Sequence, residues 1–226
     1  MPAISAICLP AERPASRRAA LARRLALALG VAVIAGATLL LRDPLASMAS
    51  YCAGLMALSQ LAPPLLLLGL PRRARPGMVA IFDPWIAFIL FAGLSIAVSL
   101  PGLLDPTLSN ALYAAPLGLL ELVAGLLFWG QIVPATRPLR APWAIALLAW
   151  AGSLPMTVVA LVWMLSAEVL YTPYLDVICR WDIPPLLDQK WAGFVMFVAG
   201  VPMQFAAAWV LVTAPAGRSP EEPEER

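Results

Sequence analysis

Six long apolar stretches organise this chain, at roughly 25 to 41, 45 to 70, 78 to 104, 110 to 134, 143 to 167 and 190 to 214. A bilayer hydrocarbon core needs about 20 helical residues, with a lower limit near 17. Each stretch meets that requirement, the first only just. The pattern predicts an all-α fold, a polytopic membrane helix bundle of about six transmembrane helices.

The gaps between the stretches orient the bundle. Arg13, Arg17, Arg18, Arg23 and Arg24 precede the first, Arg72, Arg73 and Arg75 follow the second, Arg137 and Arg140 follow the fourth, and Arg218 and Arg226 follow the sixth. Only Arg42, Arg180 and Lys190 fall in the alternate gaps. Lys and Arg near span ends stay on the cytoplasmic side, so twelve of the fifteen basic residues place both termini in the cytoplasm. Three regions follow: a basic cytoplasmic segment over 1–24, a six-span bundle over 25–214, and an acidic cytoplasmic tail over 215–226. The first stretch reads as an uncleaved span, because a long basic segment precedes it and no small-residue cleavage pattern follows.

Composition narrows the classes. At 62% hydrophobic and 12% charged residues, the chain has no room for a sizeable soluble domain beside the bundle. The arginines sit at membrane edges without interleaved aromatics, which argues against nucleic acid as a partner and leaves the lipid bilayer as the first one. Trp85, Trp129, Trp143 and Trp209 near the cytoplasmic ends, and Trp163, Trp181 and Trp191 near the outer ends, fit interfacial belts. Of the three cysteines, Cys8 is expected in the cytoplasm, whereas Cys52 and Cys179 share the outer side and could pair if that side is oxidising.

The chain has no histidine, which removes the commonest general base and metal ligand. No catalytic constellation takes its place, and the expectation is a protein that is not an enzyme. Three features could still carry chemistry. Glu121 lies near the middle of the fourth stretch, where a carboxylate is costly. Ala114, Gly118 and Gly125 share its helix face, so it should point into the bundle and act as helix glue, a proton relay or a cation contact. Met48, Cys52, Met56 and Gln60 recur every four residues along the second stretch; the three sulfurs are either core filler or soft ligands suited to Cu(I). Pro63 and Pro64 follow and predict a kink at membrane depth. The longest gap, from Ser166 to Gln189, holds Glu168, Tyr171, Tyr174, Asp176, Asp182 and Asp188. It is a solvated loop or a surface that docks a partner, with Asp188 expected to favour the N-terminus of its own helix.

Five segments then form a set: Ala62 to Pro71 (APPLLLLGLP), Gly125 to Trp129 (GLLFW), Leu154 to Thr157 (LPMT), Leu170 to Tyr174 (LYTPY) and Asp188 to Gly200 (DQKWAGFVMFVAG). In order and spacing the chain resembles the multi-span CtaG family of cytochrome c oxidase assembly factors, which is distinct from the single-span copper chaperone sharing that name. The resemblance covers about positions 45 to 213. It implies an assembly factor for a haem-copper oxidase in the bacterial cytoplasmic (inner) membrane, with oxidase subunits or other assembly factors as partners, copper as the cofactor in question, and a link to copper delivery on the periplasmic side. Tyr171, Tyr174, Asp188 and Gln189 belong to the motif surface. The chain departs from the family where histidines are typical, at positions aligning with Tyr51 and Leu55, near Ser99, and near Ala114 and Gly118. Two readings follow: copper handling has moved to Met48, Cys52 and Met56, or the chain is a metal-free partner scaffold. A small membrane transporter using Glu121, or an accessory respiratory subunit, are the alternatives from other classes.

Overall fold

The computed structural model describes residues 17–70, 83–109, 111–133, 136, 141–175 and 182–213. Cys8, Cys179, Arg180 and the basic clusters after the second and fourth stretches lie outside them, as does the acidic tail. Seven helices account for most of the described chain: α1 (Arg17–Leu40), α2 (Met48–Gly69), α3 (Pro84–Ala97), α4 (Pro101–Ser109), α5 (Ala111–Ile132), α6 (Pro142–Leu165) and α7 (Pro185–Thr213). Five of them, α1, α2, α5, α6 and α7, are long and apolar enough to cross a membrane.

The third apolar stretch is the departure from six equal spans. Its described helix α3 has 14 residues, about 21 Å at 1.5 Å per residue. Two serines bring on its end: Ser95 and Ser99 donate to the carbonyls four residues back, Phe91 and Ser95, each at 2.8 Å. Pro101 then disfavours helical backbone in the residue before it, and the chain restarts as the short α4.

α2 is the central element. It packs on α1, α5 and α7, whereas α6 and α7 pair with each other and α3 pairs with α5. The centre of α2 is a π-turn, Ala57–Leu61, in which the Ala62 amide reaches back five residues to the Ala57 carbonyl. Pro63 explains part of the break. It has no N–H, so the Ser59 carbonyl loses its helical donor. The indole Nε1–H of Trp129 on α5 donates to that carbonyl at 3.2 Å. One turn earlier on the same face is Gly125, where a Cβ would lie only 2.6 Å from the Ser59 oxygen. The APP and GLLFW segments are therefore two halves of one joint: the first exposes a carbonyl, the second brings bare backbone and a donor to it.

The α6–α7 pair is built similarly. A Cβ at Gly193 would sit 2.8 Å from the Ala160 carbonyl, so the helices close to backbone contact there. Thr157, from LPMT, accepts from the Gln204 amide at 2.6 Å while donating to the Ser153 carbonyl.

Candidate functional site

The α2 N-terminus lies at the end of the bundle where α6 gives way to α7. Ser47 opens α2 as its N-cap and its hydroxyl accepts from the Ser50 amide at 3.2 Å. The unpaired N–H groups of this first turn point at Asp188. Its carboxylate accepts from the Met48 amide at 2.6 Å, the Ser47 hydroxyl at 2.8 Å and the Ala49 amide at 3.4 Å. Asp188 is thus not chiefly the cap of its own helix, as expected from sequence. α7 begins three residues earlier, at Pro185, and Asp188 caps a neighbour instead. The positive end of the α2 dipole and the carboxylate are well matched.

Gln189, the next residue, fixes the loop. Its side-chain oxygen accepts from the Leu170 amide at 2.8 Å and its NH2 donates to the Glu168 carbonyl at 3.3 Å. Tyr171 then turns inward. Its hydroxyl donates to the Ser99 carbonyl at 2.7 Å and its ring meets Trp163 edge to face, with centroids 5.2 Å apart. Burial, above all, pushes the Tyr171 phenol above its ordinary range, so it remains a donor at physiological pH. Thr172 donates to Asp105 of α4 at 2.7 Å. Tyr174 ends a short 3-10 turn, Thr172–Tyr174; its side chain is not among those described. Tyr171, Asp188 and Gln189 are all buried. Their polar groups shape the loop from within, and the exposed side chains there include Glu168, Thr172, Leu175, Asp182, Leu187 and Trp191.

Below this belt lies the largest apolar cluster. It takes in the sulfur residues Met48, Cys52 and Met56, and adds Met156 of α6 and Met196 of α7, two thioethers that spacing along one helix could not reveal. Cys52 is a free thiol. Tyr51, Leu55 and Ala114 belong to the same cluster. Gly118 faces Leu41 and Leu58 of that cluster, and Ser99 is the acceptor for Tyr171. Tyr51, Leu55, Ser99, Ala114 and Gly118 therefore lie in or beside one largely apolar region.

Glu121 is the anomaly within the bundle. It is fully buried, on the same face as Gly125 and Trp129, against the π-turn of α2. Neither carboxyl oxygen has a hydrogen-bond partner among the described residues. The Ser59 hydroxyl lies beside this carboxyl and donates to the Leu55 carbonyl at 3.0 Å. A helix-glue role for Glu121 would run through that Ser59 hydroxyl.

As to metals, the described residues contain no group of three or more His, Cys, Asp or Glu side chains suited to an ion. The sulfurs suit Cu(I) by type. Their arrangement does not suit copper transfer, which proceeds by ligand exchange and needs an approachable edge: Met48, Cys52 and Met56 are 1%, 3% and 5% exposed.

No curated protein and no solved structure matches the chain. The sequence pattern of the family described as cytochrome c oxidase caa3 assembly factor matches residues 6–215, nearly the whole length, and the chain belongs to that family.

Proposed function

We propose that this chain supports the assembly of a haem-copper cytochrome c oxidase from within the bacterial cytoplasmic membrane, as a metal-free scaffold rather than an enzyme or a copper donor. The observation that carries this reading is the buried, apolar filling around Tyr51, Leu55 and Ala114, where the resemblance leads one to expect histidines. With both termini in the cytoplasm, the Asp188 end of the bundle faces outward. The hydrogen-bonded loop there and the start of α7 present Leu175, Leu187 and Trp191 to oxidase subunits or to other assembly factors.

The alternative within the same family, copper delivery through Met48, Cys52 and Met56, makes the opposite forecast for one double variant. Cys52→Ser with Met56→Leu changes volume little and removes both soft donors. In a strain lacking the chain, the double variant should restore spectroscopically measured haem-copper oxidase to within about twofold of wild type. A tenfold deficit at equal protein level would reinstate the sulfur ligands.

Orientation has its own check. Reporter fusions after Arg75, Arg140 and Arg218 should read cytoplasmic, and fusions near Pro106 and Asp182 external, because the arginine bias sets topology. A cytoplasmic signal at Asp182 would reverse the assignment of the loop.

The unpartnered carboxyl of Glu121 favours a second reading, in which a small transporter or proton relay uses it as its membrane carboxylate.

A further inference from the structure

Along one side of the bundle, between α2, α6 and α7, runs an apolar groove of about 900 Å³. One of its lining residues is Gln60, which is 6% exposed and whose amide makes no hydrogen bond among the described residues. Gln60 stands twelve residues from Met48 and nine from Gly69, or about 18 Å and 13 Å from the two ends of α2. It lies near mid-depth of the span. A primary amide without a partner in hydrocarbon is expensive.

The dimensions of the groove limit what could satisfy it. Its wall on α7 runs from Phe194 to Val210, sixteen helical steps or about 24 Å, against about 30 Å for a hydrocarbon core. Its lining mixes larger apolar side chains with alanines from all three helices, including Ala53 and Ala57 of α2, Ala149 of α6 and Ala206 of α7. A phospholipid acyl chain fills one leaflet only and brings no polar atom to mid-depth. A helix crosses both leaflets, can approach closely where the alanines line the groove, and can carry a hydroxyl or amide to the level of Gln60.

We propose that this groove receives a single transmembrane helix of a partner protein, held by a hydrogen bond between a Ser, Thr or Asn of that helix and the Gln60 amide. The inference rests on the assembly reading, which makes the helix that of an oxidase subunit. It places the contact with that subunit inside the membrane, in addition to the outer loop. The rival occupant is an isoprenoid quinone, whose ring carbonyl can also sit at mid-depth.

The test uses the full chain in membranes of a strain lacking the chromosomal copy. A photoreactive benzoylphenylalanine is placed at Ala206, exposed on the groove side of α7, or at Val158, exposed on α6 away from the groove. Ala206 should yield an adduct detected with antibodies to an oxidase membrane subunit, and Val158 should not. Gln60→Leu, which keeps the volume, should lower that adduct about threefold to fifteenfold, the range of one hydrogen bond between membrane helices. Ala206→Trp, which fills the groove from an exposed position, should reduce oxidase assembly at unchanged protein level. Restored oxidase without an Ala206 adduct, or with unimpaired Ala206→Trp, overturns the groove inference alone. So does quinone that extracts at about one per chain from the wild type and is lost from Gln60→Leu. Normal oxidase in the strain without the chain overturns the assembly reading, and the groove's helix with it.

Discussion

Replacing Asp188 by alanine should nearly empty the membrane of this protein. The carboxylate is bound by two backbone amides and one hydroxyl at the start of α2, the helix on which α1, α5 and α7 all pack. An N-cap contributes about 1 kcal/mol, and a hydrogen bond to a charged group about 1.5 to 3 kcal/mol. Loss of the set should cost on the order of 3 to 5 kcal/mol, a large part of the 5 to 15 kcal/mol that separates most folded domains from unfolding. Asp188→Asn should fall between wild type and alanine, since its one amide oxygen can accept while its NH2 faces other donors. Steady-state level of a fluorescent fusion and melting temperature in detergent would report the order. An alanine variant that melts with the wild type would show that α2 is held elsewhere.

Glu121→Leu should act in the opposite direction and make the bundle more stable. A buried polar group without a partner costs about 1 to 3 kcal/mol, and leucine of similar size removes that cost without opening a cavity. For a chain of this length the gain corresponds to a rise of several degrees in melting temperature, at about 2 to 4 °C per kcal/mol. If Glu121 serves a proton or cation, the same variant should lose oxidase assembly or transport while gaining stability, and Glu121→Gln should share the functional loss. A fall in melting temperature would mean that the carboxyl is bonded after all.

The spans were legible because a membrane crossing needs length and apolarity, which a sequence displays directly. Glu121 was legible for the same reason: a carboxylate among leucines is conspicuous, and the small residues at positions 114, 118 and 125 gave the direction in which it points. The pairing of Pro63 with Trp129 was not. The sequence predicts a kink after Leu61, but which distant donor meets the freed Ser59 carbonyl depends on packing. The partners of Asp188 were not legible, because capping rules are local, whereas its bonds reach about 140 residues away. The third stretch is visible in the sequence as one apolar run, whereas the serine bonds and Pro101 that separate α3 from α4 depend on backbone geometry that hydropathy does not register. The groove beside Gln60 could not be read at all, since its walls come from separate helices.

The Asp188 cap also has a consequence in time. The chain is made from its N-terminus at about 5 to 20 residues per second, so the cap of α2 is synthesised roughly 7 to 28 s after the helix it completes, 140 residues further on. Until then, the first turn of α2 presents bare N–H groups at the membrane surface. A ribosome that stalls before α7, or a message cut short there, leaves a product with an open helix end. The first turn of α2 is therefore completed only once the start of α7 has been made.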